Sequence, residues 1–574
     1  MNKLPPEILA HIIANGLDDD GNLAQYSTIS RAWKASIERL TFRKLTITTD
    51  ELDEFVALFD GDNVARRTHL TNLDFQFILP FPPNADGCCI VTQPPDRYAD
   101  SIEFSASLAK LFTALSDIAA RSNQCSPLNL SFWDFYWRDK VYGMAGKAKR
   151  CRGVDGSDED PHTNRQVREA YASSGQFELV RQDLIPALHG ITSVGFGGYD
   201  AFEDLKPTWV PEIMSRLPDL EKVAITSMCD LYSHGRRKRY RRRECKSLES
   251  FTHHPRILTN TAFLRSILRF ESDHLREIRL YIYRCPLRNE GVAVHNFVKN
   301  GNGRQESWFR MLKHFASFQN LAILQLQGGL VVCPDFFRSI MDYSGTPFPS
   351  LTEFELQFAP ETADGRWFYE RDEALERSRT DPKWEKYWED HAREEEICRN
   401  GFDPRSLHDT DSDNFVRIYG NGPFRKGLTK RDRFRSKPSA DTFLPFLLNA
   451  SKAIKRMPGL SKFILQLGCP PAERTDMDHW RIVSRIFELW YLKSGMRRAI
   501  STTPIGPNPR IPGDAKYLNC NRLYWRLDGT VIWDDVHEAW GAIAGPDAKV
   551  VYLDEDQWEI LRGGNPFYIY NGDI

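Results

Sequence analysis

Phe348–Phe358 reads FPSLTEFELQF, and its apolar residues fall at Phe348, Leu351, Phe354, Leu356 and Phe358. A three-residue step, repeated, gives way to strict alternation, which is what a strand with one buried face requires. The same pattern stands upstream at Leu70, Leu73, Phe75, Phe77, at Leu188, Ile191, Val194, Phe196, and at Leu217, Leu220, Val223, Ile225. It continues at Cys245, Leu248, Phe251, at Leu275, Ile278, Leu280, Ile282, at Phe318, Leu321, Leu324, Leu326, and at Met457, Leu460, Phe463, Leu465, Leu467. The aligned positions Val194, Val223, Phe251 and Ile278 are 29, 28 and 27 residues apart, an interval that accommodates one strand and one helix. Helices are predicted between the strands at Ile102–Ala120, Phe177–Leu188, Trp209–Arg216, Ala262–Phe270, Ser307–Phe315 and Phe443–Lys455. Each such repeat has an apolar face that only its neighbours can cover, so the array needs several copies and a closing cap.

Ahead of the array, Leu4–Leu45 reads LPPEILAHIIANGLDDDGNLAQYSTISRAWKASIERLTFRKL. Pro5 and Pro6 suit the first helical turn, where no N–H is lost, and Glu7 there meets the positive end of the helix dipole. Leu4, Ile8, Leu9, Ile12 and Ile13 make an apolar stripe, and Leu23, Tyr26, Ile29, Trp33, Ile37 and Leu40 make a second. So short a helical unit cannot bury all of that surface by itself. The stretch resembles an F-box, the helical motif that docks on the Skp-type adaptor of cullin ubiquitin ligases. The matching residues are Leu4, Pro5, Glu7, Ile8, Leu9, Ile12, Leu17, Leu23, Ile29, Ser30, Arg31, Trp33, Phe42 and Leu45. The resemblance implies adaptor contact through Leu4, Pro5, Glu7, Ile8, Leu9, Ile12, Leu17, Leu23, Ile29 and Trp33. Ser30 stands where that family commonly has cysteine, and Asn22 where an acidic residue often precedes the leucine.

The array itself resembles the irregular leucine-rich repeats that often follow an F-box, although the asparagine of regular repeats is missing. The expected class is therefore α/β: an F-box at 1–48, a divergent strand–helix solenoid at 49–470, and an α+β cap at 471–574. Insertions are expected at about 133–174, 230–246, 284–305 and 361–440. The first opens on the aromatic run WDFYWRDKVYG, with Trp133, Phe135, Tyr136 and Trp137, before a Gly/Asp/Lys-rich loop. The last combines charged helical spacing over Glu370–Arg399 with a polar loop, HDTDSDN. In the cap, Asp478 is a good N-cap for a helix burying Trp480, Ile482, Val483, Ile486, Phe487, Leu489 and Trp490. Asp528-Gly529 between Leu523–Leu527 and Thr530–Trp533 predicts a hairpin, Asp535–Ala544 a helix and Val550–Leu553 a strand. This region is similar to the uncharacterised C-terminal part of some filamentous-fungal F-box proteins.

The 574 residues carry 76 basic and 78 acidic side chains, so the net charge of -2 gives no overall reason to expect binding to nucleic acid or membrane. Eleven cysteines lie scattered without a C-x-x-C pair, which favours reduced thiols over a disulfide frame or zinc site. No leader precedes Leu4 and no long uncharged apolar run appears, so an intracellular protein, cytoplasmic or nuclear, is expected. The densest charge run, Arg236, Arg237, Lys238, Arg239, Tyr240, Arg241, Arg242 and Arg243, suits a solvated loop, a nuclear localisation signal or a phosphate contact. His253-His254 lacks a second ligand pair, and Asp409, Asp411 and Asp413 are followed by Asn414 and Gly420 where a calcium loop needs glycine and glutamate. Gly195, Gly197 and Gly198 lack the Lys-Ser/Thr of a phosphate loop and are expected to turn the chain after a strand.

If the strands stack, alternate residues form one polar face: Thr226, Arg279, Tyr281, Gln325, Gln327, Glu355, Gln357 and Gln466. Arg279, Tyr281, Gln325, Gln327, Glu355 and Gln357 are the candidate partner contacts. No catalytic constellation, cofactor motif or metal site is recognisable. The expected function is non-catalytic: a substrate-recognition subunit of an SCF-type cullin ubiquitin ligase, with a Skp-type adaptor and a protein target as partners. An F-box scaffold acting outside degradation is the alternative, followed by an enzyme with an unrecognised C-terminal site.

Overall fold

At three repeats the three-residue step is a turn. Leu220, Leu351 and Leu460 each donate a backbone N–H to the carbonyl of the apolar residue three places earlier, at 3.2 Å in every case. Both apolar members of each turn are buried, and the chain then enters a strand. At Thr71, Thr352 and Ser461, just before a strand, backbone N–H and hydroxyl both reach one carbonyl of the preceding repeat, on Arg43, Ala322 and Thr352, at 2.8–3.0 Å. Neighbouring repeats come so close here that a Cβ on Gly459 would lie 3.0 Å from the Leu351 carbonyl oxygen. Parallel pairing in one register follows directly from these contacts.

The computed structural model describes residues 27–79, 97–121, 126–137, 178–197, 208–228, 267–283, 302–373, 435–467, 487–496, 517–527 and 532–552. Packing divides the chain into two units, Met1–Met228 with Arg269–Leu275, and Cys229–Leu268 with Arg276–Ile574. In the first, the elements are α1 (Arg31–Thr41), β1 (Lys44–Thr48), α2 (Leu52–Ala57), β2 (Asn72–Leu79), α3 (Arg97–Arg121), β3 (Leu128–Trp137), β4 (Ile191–Phe196), α4 (Trp209–Met214) and β5 (Lys222–Met228). The strands pair in sequence order, all parallel. Trp209 of α4 stands edge-on to Phe132 and Phe196 at 5.8 and 5.1 Å, and Phe104 of α3 lies 4.6 Å from Phe77, so both helices cover the same sheet face.

The second unit contains β6 (Glu277–Tyr283), α5 (Asn302–Phe315), β7 (Ile323–Leu330), α6 (Arg338–Met341), β8 (Glu353–Phe358), β9 (Tyr369–Arg371), β10 (Arg435–Pro438), α7 (Phe443–Lys455), β11 (Lys462–Leu467), β12 (Phe487–Leu492), β13 (Arg522–Leu527), α8 (Asp534–Ala544) and β14 (Lys549–Tyr552). β6, β7, β8 and β11 are parallel, β12 runs antiparallel to both β11 and β13, and β14 returns parallel to β13. Phe337 beside α6 meets Phe354 and Phe463, and Trp540 of α8 meets Phe463 and Trp525, so these helices again share one face. The chain is thus mixed α/β, built on mostly parallel sheet. Among the described residues no helix is long and apolar enough to cross a membrane.

Several expected elements differ. The aromatic run at Trp133–Trp137 continues β3 instead of opening a loop. Phe177–Leu188 is no helix: among its described residues, Glu178 and Val180 donate backbone N–H groups to Ser101 and Ser105 of α3, both at 3.0 Å, and only Gln182–Leu184 makes a 3-10 turn. Phe487–Leu492 is strand, not helix; β12 lies between two strands with both faces buried, and uniform burial erases the alternation that marks a strand. The expected hairpin is also replaced, because β13 already pairs with β12 and β14. Gly195 lies within β4, opposite Ser131, and does not follow the strand. The 361–440 insertion is closed at its ends by the antiparallel pair β9–β10.

Arg456, just past α7, donates to the carbonyls of Ile340, Tyr343 and Gly345 at 2.8 Å and also to Met341, fastening the end of α6. Arg456→Ala is expected to lower stability by about 2–3 kcal/mol, since charge-assisted bonds vanish and helix-end carbonyls lose their donor. Urea unfolding midpoints measure this, and Arg456→Lys should recover less than half because one ammonium cannot span the set.

Candidate functional site

Of the candidate adaptor contacts, Leu4, Pro5, Glu7, Ile8, Leu9, Ile12, Leu17 and Leu23 lie outside the described residues. Ile29 and Trp33 lie within them, at the head of α1. Ser30 caps that helix, its Oγ accepting the Trp33 backbone N–H at 3.2 Å. One side of α1 is held by its own chain: Ser36 and Ile37 are buried, Glu38 pairs with Arg66 at 2.8 Å, and Arg66 stacks 4.8 Å above the Phe42 ring. The other side carries exposed Arg31, Lys34, Ala35 and Arg39. Ile29 is 52% exposed and Trp33 half-buried. An apolar surface therefore reaches solvent where the helix begins.

The second candidate is the sheet face turned away from the helices. On β7, β8 and β11, Leu324, Leu326, Phe354, Leu356, Phe463 and Leu465 are fully buried on the helix side, so the alternate residues face the other way. Register places Glu277, Ile323, Glu353 and Lys462 in one row, and Arg279, Gln325, Glu355 and Ile464 in the next. Tyr281 pairs with Gln327, and Gln357 with Gln466. All six candidate partner contacts thus come together on β6–β8. Thr226, by contrast, is buried.

This face largely satisfies itself. Lys462 Nζ lies 2.8 Å from Glu353, and Arg279 Nε donates to Glu277. Gln327 Nε2 donates to Glu355 Oε1 at 2.8 Å, and Gln357 Nε2 to Gln466 Oε1 at 3.2 Å. Gly328 and Gly329 take φ of 97° and 76°, so β7 bulges and the Gly328 N–H reaches Gln357 Oε1 at 3.1 Å. Burial pushes the Glu355 carboxyl above the usual carboxylate range; the Gln327 bond and the Lys462 charge pull it back, Glu353 adds to the rise and Arg279 opposes it. Toward β12 and β13 the face closes. Ile464, Trp490, Leu492 and Tyr524 form a buried cluster, and Glu488 and Arg526, both buried, pair at 3.6 Å.

The sequence reading omitted Glu353, Lys462, Glu488 and Arg526 from this face. Lys462 and Glu353 are directly opposite across β8 and β11, a pairing visible only once the register is known; Glu488 was hidden by its assignment to a helix. The basic run at 236–243, His253, His254, Asp409, Asp411 and Asp413 lie outside the described residues. Among those described, no three His, Cys, Asp or Glu side chains assemble as metal ligands. Burial pushes the Cys333 thiol up to about 12, which keeps it protonated and unreactive.

The Glu355 shift carries a sign. A carboxyl raised in the folded state contributes stability at low pH, and loses it as pH rises through the shifted value. Glu355→Gln, nearly isosteric and always neutral, is expected to equal or exceed the parent in stability at pH 7 and to show a smaller gain on acidification to pH 5, read from urea midpoints at the two pH values. Compared with family models and with curated proteins, the chain matches none.

Proposed function

We propose that this chain is the substrate-recognition subunit of an SCF-type cullin ubiquitin ligase. The opening helices would bind a Skp-type adaptor, and the polar face of β6–β8 would hold a protein target. The observation that carries the reading is the head of α1: a capped helix fixed to its own chain along one side, with Ile29 and part of Trp33 left to solvent. Within each unit, strands that pair in sequence order with helices on one face support the repeat reading, because that arrangement leaves the opposite sheet face for recognition. Its contribution is proximity: holding a target beside a charged conjugating enzyme raises the effective concentration of the acceptor lysine. The bond-forming chemistry belongs to other subunits.

Point substitutions test this better than truncation, since Lys44–Thr48 is a sheet strand and deleting through residue 45 would remove part of it. Leu4→Ala with Pro5→Ala, and separately Ile29→Asp, are expected to reduce capture of purified Skp-type adaptor at least tenfold while the melting temperature stays within about 3 °C. Undiminished capture, or none by the parent protein, overturns the proposal. Capture without adaptor-dependent ubiquitylation of any bound partner would leave the scaffold alternative standing in its place.

A further inference from the structure

The polar face of β6–β8 pairs off nearly all of its charges, and the exception has a chemistry. Its cations are committed: Arg279 to Glu277 and Lys462 to Glu353. Against these two cations stand three carboxylates, Glu277, Glu353 and Glu355, and one of the three carries its charge without an ion pair among the described residues. That charge belongs to Glu355, whose Oε1 accepts from the neutral Gln327 amide and whose Oε2 has neither a hydrogen bond nor an ion pair among the described residues. The Glu355 side chain is half-buried. Beside it in the same row, the Gln325 amide also makes no hydrogen bond among the described residues and can give or take one. On one flank the face is sealed by the cluster of Ile464, Trp490, Leu492 and Tyr524, which bounds the opening.

We infer that this window binds an extended peptide of the target protein through a lysine or arginine side chain placed on Glu355. A cation is the complement of an accessible carboxylate whose local positive charges are already spent, and the partly desolvated setting strengthens such a pair relative to one in open water. Gln325 supplies a bond to the peptide backbone next to that side chain, and the Gln357–Gln466 amide pair lies farther along the same face. An acidic peptide would meet Glu353 and Glu355 with like charge, so the window discriminates as well as attracts. The inference rests on the target-binding half of the proposed function and is independent of the adaptor half.

The test uses the full chain and synthetic ten-residue peptides of Ser, Gly and Thr with one central residue varied among Lys, Arg, Gln and Glu. Fluorescence anisotropy is expected to show the Lys and Arg peptides binding roughly tenfold more tightly than Gln, with Glu weakest. Glu355→Gln should reduce the Lys-to-Gln ratio below about twofold, and Glu355→Lys should reverse the order in favour of the Glu peptide. A parent protein with no basic preference, or a preference that survives Glu355→Gln, overturns the inference. Adaptor capture by the same preparations keeps the two readings apart, because its loss with the peptide preference intact counts only against the ligase assignment.

Discussion

The described parallel strands from β2 to β8, with β11, each have one face that only their neighbours and a covering helix can dry. The device that enforces this is the doubled hydrogen bond before the strand, where Thr71, Thr352 and Ser461 place both a backbone N–H and a hydroxyl on a single carbonyl of the previous repeat. Each of these carbonyls also takes the next backbone N–H, from Asn72, Glu353 and Lys462 at 2.9–3.0 Å, and three donors converging on one oxygen hold separation and register together. A slip of one residue would exchange the buried and open faces of the strand. The turn preceding it delivers the chain to this contact with both of its apolar residues already buried.

Aromatic rings use that register. The chain contains 35 phenylalanines, and equivalent positions on adjacent parallel strands often carry one. Phe354 and Phe463 stack at 5.4 Å with 11° between planes, and Phe132 and Phe196 at 5.6 Å with 15°. Strand spacing of about 4.8 Å favours such offset stacking, while the covering helices bring rings in at steeper angles, as Trp209 does. In the second unit the ring contacts continue from Phe463 to Trp540 and Trp525, which ties the antiparallel C-terminal strands into the same core. The change from parallel to antiparallel pairing therefore does not begin a new core.

This explains what was readable in advance. The three-residue step followed by alternation is local, and every described segment that carries it forms a strand. β3 was obscured because five aromatics crowd Phe132–Trp137 with Asp134 as the one polar residue among them, so no regular alternation shows. β12 failed for the related reason that FELWYL is buried on both faces, so its residues fit a helical count equally well. The Asp528-Gly529 turn signal is a property of two residues, whereas the pairing of β13 is decided by β12 and β14, neither of which adjoins that turn. The six candidate face residues were legible from alternation alone; the Gln327–Glu355 bond and the Lys462–Glu353 pair depended on register.

The division of the outer face into closed and open parts follows from the same accounting of polar groups. Where the face is buried, over β12 and β13, Glu488 and Arg526 oppose each other and Arg522 donates to the carbonyls of Tyr517, Cys520 and Met496, since a charge left without partners there would carry the full cost of desolvation. Where it reaches solvent, over β6–β8, glutamines stand among the charged side chains, at Gln325, Gln327 and Gln357. Glutamine suits that position: it gives and accepts, so a row of glutamines can bond to itself without a partner and rearrange when one arrives. Glu355 departs from the pattern. A glutamine would sit in its place beside Gln327 with no desolvated charge, whereas the carboxylate sets one amide bond and the attraction of Lys462 and Arg279 against its burial.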